Sequence, residues 1–134
     1  MTTRLSVPVA VVLDSDPEVG RMVEQWLRPR GWTVFVTFDP VDATAHVGLL
    51  RELMTVVVTD ASNPELSADM VVGHARRFAP ALGVLCISQV PVTLEGVNCI
   101  HLGKSFRAEE LARAARSLIP PGTTYQIFEE LEGT

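Results

Sequence analysis

The sequence predicts an α/β domain built on a doubly wound parallel sheet of five strands. Three observations predict this fold class. Five short runs rich in β-branched and aliphatic residues have the composition of buried strands. Segments with apolar residues at helical spacing follow most of these runs. The connections are short, and right-handed crossovers between parallel strands place helices on both faces of a sheet.

The first strand and helix are predicted from residues 9–27. Residues 9–13 form a continuous apolar run that ends at Asp14. Asp16 and Pro17 indicate a helix start, because Asp is a common N-cap and proline is tolerated at the first helical position. The inner face of this helix is marked by apolar residues at i, i+3, i+4, i+7 and i+8 spacing, namely Val19, Met22, Val23, Trp26 and Leu27.

The second unit repeats this pattern. Residues 32–38 are β-branched and aromatic, which is typical of a strand, and Asp39 and Pro40 again indicate a helix start. We expect the inner face of the second helix to consist of His46, Leu49, Leu50 and Leu53. His46 lies at the edge of that face, so we interpret it as a half-buried core residue rather than a ligand.

The third and fourth strands are residues 56–59 and residues 82–87. The third strand ends on Asp60 and the fourth ends at Ser88. Between them, Ser67 is expected to cap a third helix. The inner face of that helix is predicted to contain Val71, His74, Ala75 and Phe78.

The last strand is predicted at residues 99–102, shortly before Lys104. A final helix follows, with an inner face of Ala108, Leu111, Ala112, Ala115, Leu118 and Ile119. Only residues 89–98 connect strands four and five, and a crossover with its helix usually needs about 10–12 residues or more. We therefore expect the fourth crossover helix to be short or missing, in a domain over residues 1–119 followed by a tail at 120–134.

The composition excludes several classes of protein. A chain of 134 residues with 47% hydrophobic and 20% charged residues is typical of one folded domain. The net charge is -5 without a Lys/Arg cluster, which argues against nucleic-acid binding. No signal peptide or membrane-spanning apolar run is visible, so we expect a cytoplasmic protein without membrane contact. Cys86 and Cys99 each lie in an apolar run and are interpreted as core thiols, with a disulfide as the less favoured alternative.

Polar residues follow four of the predicted strands. Asp14, Asp60, Ser88 and Lys104 would meet at the carboxyl edge of the sheet, where open α/β sheets bind ligands. In the flavodoxin-like strand order 2-1-3-4-5, the two acids flank the crevice between strands one and three. Close carboxylates are suited to Mg²⁺, and a carboxylate can accept a phosphoryl group when metal and lysine charge assist. The sequence thus predicts a phosphoryl-transfer site at this edge.

With this ordered set of residues, the chain resembles a response-regulator receiver domain of the stand-alone kind, similar to the chemotaxis response regulator, over about residues 6–119. The resemblance implies that Asp60 is the phosphoacceptor and that Asp14 is one acid of the metal site. It also implies that Ser88 is the switch hydroxyl and that Lys104 contacts the phosphoryl group.

The resemblance extends to the loop after Asp60 and to strand five. It implies a backbone carbonyl ligand from Ser62, and Pro64 has the spacing that receivers commonly show after the phosphoacceptor. The position of the family's switch aromatic is occupied by His101. The cofactor implied is Mg²⁺. The partners implied are a histidine kinase or phosphotransfer protein and an unknown downstream protein, while homodimer formation is left open.

Two positions depart from the family pattern. Ser15 stands where receivers usually have a second acid that binds the metal directly, so Mg²⁺ binding should be weaker. Asp16 could compensate as a ligand, although capping of the helix before Pro17 is the favoured explanation. Ser105 follows Lys104 where the family has a proline after a cis bond. A cis bond costs about 2.5–4 kcal/mol before a non-proline residue, so we expect a trans or strained bond and a shifted Lys104.

Three functions are compatible with these residues. The first is a receiver that is phosphorylated on Asp60 and signals through protein contacts. The alternative is an atypical pseudo-receiver that binds partners without phosphorylation. A distant third is a phosphatase similar to the haloacid dehalogenases, with Asp14 as nucleophile and Asp16 as acid. We expect a signalling protein whose chemistry extends at most to its own phosphorylation and dephosphorylation.

Overall fold

The computed structural model describes residues 7–92, 94 and 98–123. Five parallel strands form one sheet in the order β2-β1-β3-β4-β5, as predicted. The strands are β1 (Val9–Leu13), β2 (Thr33–Thr37), β3 (Val56–Thr59), β4 (Gly83–Ile87) and β5 (Asn98–Leu102). Their bounds lie within one residue of the predicted ones.

Four α-helices accompany the sheet: α1 (Pro17–Leu27), α2 (Pro40–Leu50), α3 (Ala68–Phe78) and α4 (Ala108–Ser117). Short 3₁₀ turns occur at Arg28–Arg30, Arg51–Leu53 and Pro64–Leu66. None of the described residues between β4 and β5 is helical, in keeping with the expected loss of one crossover helix. Within the described ranges, no helix is long and apolar enough to cross a membrane.

Alternate residues of the central strands serve two separate cores. Ala10 and Val12 of β1 belong to a cluster with α1 and α4, which we call the α1/α4 core. Val11 and Leu13 of the same strand belong to a cluster with α2 and α3, the α2/α3 core. Every residue of β1, β3 and β4 is buried, because helices cover both faces of these strands. The fold is therefore the predicted doubly wound α/β sheet.

The predicted starts of α1 and α2 are confirmed. The side chain of Asp16 accepts a hydrogen bond of 2.9 Å from Glu18 N, and that of Asp39 accepts one of 2.9 Å from Asp42 N. Pro17 and Pro40 occupy the first helical positions, where no backbone donor is needed. These caps fix the points at which the chain leaves β1 and β2.

The predicted inner face of α2 was wrong in part. Ala43 and Val47 are the buried residues of this helix, whereas Leu49 is 80% exposed and Leu53, in the following turn, is 43% exposed. Apolar residues lie on several sides of α2, so their spacing allowed more than one face. His46 is half-buried, as expected, and its ring lies 5.7 Å from that of Phe35.

The predicted cap of α3 was also wrong in its chemistry. Ser67 occupies the N-cap position, but its side chain makes no capping hydrogen bond, and its φ is 48°. The Pro64–Leu66 turn leads directly into α3 and is capped instead by Asn63, whose side chain accepts from Glu65 N at 3.0 Å. Residues 124–134 of the predicted tail lie outside the described residues, and the division after residue 119 stays a prediction.

Candidate functional site

The carboxyl edge of the sheet carries the four side chains that the sequence singled out. Asp14 directly follows β1, Asp60 follows β3, Ser88 follows β4, and Lys104 lies two residues after β5. Because the strands are parallel and adjacent, these ends meet at one edge. Lys104 Nζ lies 3.2 Å from Asp60 Oδ2, which joins residues from the third and fifth strands in an ion pair.

Asp60 is held by its own loop as well as by Lys104. Its Oδ1 accepts a hydrogen bond of 3.0 Å from Ser62 N and a second, short one from Ser62 Oγ. Partial burial acts to raise the pKa of the carboxyl group. The hydrogen bonds from Ser62 and the positive charge of Lys104 outweigh burial and hold that pKa below its usual value. Asp60 is therefore an ionised carboxylate at neutral pH.

The pKa of Asp14 is shifted in the opposite direction. It is 3% exposed, and its Oδ1 accepts a hydrogen bond of 2.9 Å from Asp16 N. Burial raises the pKa of this carboxyl group, although the bond from Asp16 and the charge of Lys104 act against the rise. Within the described residues, its buried Oδ2 has no hydrogen-bond partner. An unpartnered buried carboxylate oxygen favours a cation beside it.

The oxygen atoms that could bind Mg²⁺ at this edge of the sheet are few. Among the described residues, no group of three or more His, Cys, Asp and Glu side chains could hold a metal ion. Mg²⁺ in proteins is nevertheless commonly bound by one or two carboxylates, with water in its other positions. Asp14, Asp60 and the backbone carbonyl of Ser62 are the candidate oxygen ligands of that kind. The orphaned Asp14 Oδ2 is the observation that makes the set suitable.

The residues next to Asp14 explain why few carboxylates at this edge could bind a metal ion. Ser15, which stands in place of an acid, is exposed, and its Oγ lies 3.5 Å from Asn63 Nδ2. Asp16 is exposed and caps α1, which is the favoured of its two predicted roles. A metal-binding role for Asp16 stays a prediction.

Ser88 and His101 are connected to each other. Ser88 is fully buried, and its Oγ donates a hydrogen bond to the carbonyl of Val90. His101, on β5, places Nε2 3.0 Å from the backbone oxygen of Ser88 and 3.1 Å from its Oγ. The predicted switch hydroxyl and the predicted switch ring are thus in direct contact.

Two details of the site differ from, or add to, the sequence-based expectations. The Lys104–Ser105 bond is trans, as no cis bond occurs among the described residues, and Lys104 still reaches Asp60. The hydroxyl of Ser62 was missed, since only its backbone carbonyl was considered. The signal was available, because a hydroxyl residue two positions after an Asp can bond back to it.

Comparison of the structure with known ones decides the type of fold. A response regulator receiver domain from Bacillus halodurans is 16% identical, with a TM-score of 0.71, over 86% of this chain and 99% of that one. The chain has the fold of a response-regulator receiver domain. The chemotaxis protein CheY4 of Vibrio cholerae gives a TM-score of 0.73 at 18% identity, over 85% of this chain and 100% of that one.

A response regulator receiver protein from Sinorhizobium medicae shares this receiver fold, with a TM-score of 0.69 at 20% identity over 85% and 95% of the two chains. Comparisons of the sequence alone found no matching family model and no matching curated protein. At these identities the receiver fold is established, and the function has to be argued from the site.

Proposed function

We propose that the protein is a response-regulator receiver that accepts a phosphoryl group on Asp60 from a histidine kinase or a phosphotransfer protein. The observation that carries this proposal is the 3.2 Å contact between Lys104 Nζ and Asp60 Oδ2, with the buried acid Asp14 beside it. The receiver fold supports a signalling role of this kind. The phosphorylated form would then act by binding a downstream protein.

In the proposed reaction, Asp60 is the nucleophile. Ser62 occupies Oδ1 through two hydrogen bonds, so Oδ2, which contacts Lys104, is the oxygen that would attack phosphorus. The P–N bond to the donor histidine breaks as the P–O bond forms, and the histidine nitrogen keeps the electron pair. Lys104 offsets the negative charge on the phosphoryl oxygens. Bound Mg²⁺, held by Asp14, Asp60 and the Ser62 carbonyl, would neutralise charge on the same oxygens.

Ser88 and His101 provide the proposed response. For the hydroxyl of Ser88 to bond a phosphoryl oxygen, it would give up its bond to the carbonyl of Val90. His101 contacts both oxygen atoms of Ser88, so its ring would be displaced by that change. The output surface of the proposed receiver would accordingly lie at β5 and the loop after β4.

The proposal includes the remaining features of a receiver. A domain over residues 1–119 would carry the signalling function, followed by the tail at 120–134, and the protein would act in the cytoplasm, where kinases have ATP. Homodimer formation is left open, and size-exclusion chromatography of the adduct would detect it. The phosphatase alternative is disfavoured, because a nucleophile that is 3% exposed, as Asp14 is, has little access to substrate.

A pseudo-receiver that acts without phosphorylation is the second candidate. Two observations favour it: Ser15 supplies no carboxylate to the metal, and Ser62 occupies the Asp60 oxygen that a metal would share. Under this alternative the same β5 surface would bind its partner constitutively.

The test is formation of an adduct with beryllofluoride and with acetyl phosphate in the presence of Mg²⁺. We expect the wild type to form both adducts, detected by fluorine NMR and intact mass, and Asp60→Asn to form neither. Asp39→Asn is the matched control, because Asp39 is an exposed carboxylate that caps α2, and Asn caps helices equally well. Absence of an adduct in the wild type and in Asp39→Asn would favour the pseudo-receiver.

A further inference from the structure

The two cysteines of the chain lie side by side across the last pair of strands. Cys86 Sγ and Cys99 Sγ are 3.1 Å apart, and both thiols are free. Cys86 pairs with His101 in the sheet register, and Cys99 pairs with Val84, so the cysteines occupy diagonal positions on β4 and β5. Both side chains pack in or against the α2/α3 core, which places them on the same face of the sheet.

We propose that Cys86 and Cys99 form a reversible intramolecular disulfide when a peroxide oxidises the protein. The Sγ atoms need to approach by only about 1 Å to reach the bond length of a disulfide, 2.03–2.05 Å. Disulfides in proteins from reducing compartments are usually transient redox sensors, which is the class of site inferred here. This inference is independent of phosphorylation at Asp60.

The different burial of the two thiols sets the order of the reaction. Cys86 is buried, and burial, with the neighbouring Cys99 thiol, raises the pKa of its thiol to about 12. Its thiolate, which is the reactive form, is therefore scarce at neutral pH. Cys99 is only partly buried and lies on the edge strand, so peroxide can reach it. Cys99 is the residue that reacts first.

The chemistry balances with one equivalent of hydrogen peroxide. Cys99 sulfur attacks one peroxide oxygen; an S–O bond forms, the O–O bond breaks, and water leaves with the thiol proton. Cys86 sulfur then attacks the sulfenic sulfur of Cys99; the S–S bond forms, and the hydroxyl group leaves as water with the proton of Cys86. Two thiols are oxidised and one peroxide is reduced to two waters. Proximity compensates for the low thiolate fraction of Cys86.

The disulfide would act directly beneath the Ser88–His101 contact. His101 lies two residues after Cys99 and pairs with Cys86, so these three side chains lie on one face of the sheet, and Ser88, just after β4, contacts His101. A covalent link at the first pair would restrain movement between β4 and β5 at the second. The ring of His101 is thus a natural reporter of the oxidation state.

The test uses the full chain, reduced and then treated with hydrogen peroxide. We expect both thiols to disappear together in monomeric protein, with loss of two hydrogen atoms by mass and recovery on addition of dithiothreitol. Cleavage after Glu95, which lies between the cysteines, should leave two peptides that stay joined until reduction. The NMR signals of the His101 ring should shift on oxidation in the wild type.

Two variants test the order. Cys99→Ser should keep the Cys86 thiol under the same treatment and show no shift at His101, whereas Cys86→Ala should accumulate a sulfenic acid at Cys99 that dimedone traps. Any of three results in the wild type would overturn the inference: separate oxidation of the two thiols, disulfides only between molecules, or no loss of thiol. Should Cys86→Ala fail to fold, the peptide pattern of the wild type and the retained thiol of Cys99→Ser decide the matter.

Discussion

At the scale of single residues, the Asp60 carboxylate has an uneven set of partners. Both hydrogen bonds to Oδ1 come from Ser62, whereas Oδ2 contacts Lys104. A carboxylate oxygen has two lone pairs, so Ser62 saturates Oδ1. A metal ion that shares this oxygen with Asp14 has to displace the Ser62 hydroxyl. The side chain of Ser62 would therefore compete with the Mg²⁺ for which its own carbonyl is a proposed ligand.

Replacement of Ser62 by alanine should strengthen Mg²⁺ binding. The variant loses the competing hydroxyl and keeps both the Ser62 backbone N–H and the carbonyl. A hydrogen bond to a charged group contributes about 1.5–3 kcal/mol, so we expect an increase in affinity of roughly tenfold or more. Titration calorimetry with Mg²⁺ measures it. Ser67→Ala is the control, since Ser67 makes no capping bond, and unchanged affinity in Ser62→Ala would contradict the competition.

Asp14 should lower the stability of the metal-free protein. Its pKa is raised from the ordinary value of 3.8 chiefly by burial, so the folded state binds its proton more tightly than the unfolded state does. The resulting penalty is fully present above the folded pKa and disappears as pH falls toward 3.8. In the presence of chelator, Asp14→Asn should therefore be more stable than the wild type at pH 7. We expect a difference of about 1 kcal/mol, because a buried neutral amide costs less than a buried carboxylate with an unpartnered oxygen.

Urea unfolding at several pH values measures this difference. The gap between Asp14→Asn and the wild type should shrink as pH is lowered, and Mg²⁺ should stabilise the wild type but not Asp14→Asn. Asp39→Asn again serves as the control, because its side chain is exposed and caps α2. A variant that is less stable than the wild type at pH 7 would show that the charged form of Asp14 is favourable in the fold.

At the scale of elements, strands and helix starts could be predicted from the sequence, and some helix faces could not. The strands are apolar runs that are buried on both sides, so their composition alone marks them. The faces of α2 are ambiguous, because Val41 and Leu49 are apolar and exposed. Packing of α2 against β1 and β2 decides which of its residues are buried. The spacing of apolar residues within the helix carries no information about that packing.

Contact between β4 and Leu118, the residue that follows α4, depends on the absence of a side chain at Gly83. A Cβ at this position would lie 2.8 Å from Leu118 Cβ, an atom that no rotamer change can move. Gly83→Ala should therefore destabilise the protein by about 1–3 kcal/mol, as overpacked cores do. Gly73→Ala is the matched control, because a Cβ at Gly73, within α3, meets nothing within 4 Å.

Thermal and urea unfolding of both variants gives the comparison. Gly73→Ala should stabilise the protein by about 0.5–1 kcal/mol, the difference in helix propensity between alanine and glycine. If Gly83→Ala were as stable as the wild type, α4 would have to be free to move away from the sheet, and the tight contact at Leu118 would not be required.

At the scale of the whole molecule, the sheet is unevenly protected. Strands β1, β3 and β4 are buried at every residue, whereas β5 lies at the edge and none of its residues is buried. The parallel sheet and the edge that carries the site followed from the alternation of strands and helices, whereas the strand order came from the flavodoxin-like pattern. The Ser88–His101 and Cys86–Cys99 contacts did not, because they depend on the register between β4 and β5, which apolar patterning does not specify when the connection lacks a helix.

Hydrogen exchange should show the same difference in protection between the buried strands and β5. We expect the amides of β1 and β3 to exchange slowest, near the rate of global unfolding, and those of β5 to exchange fastest among the strands. β5 pairs with β4 on one side only, and alternate N–H groups of an edge strand point away from its neighbour, so the comparison uses the β5 amides that donate to β4. Exchange followed by NMR on the metal-free protein gives the rates residue by residue. Equal protection of β5 and β1 would mean that the edge strand opens only with the whole sheet, and β5 could then not carry a local response from Ser88 to a partner.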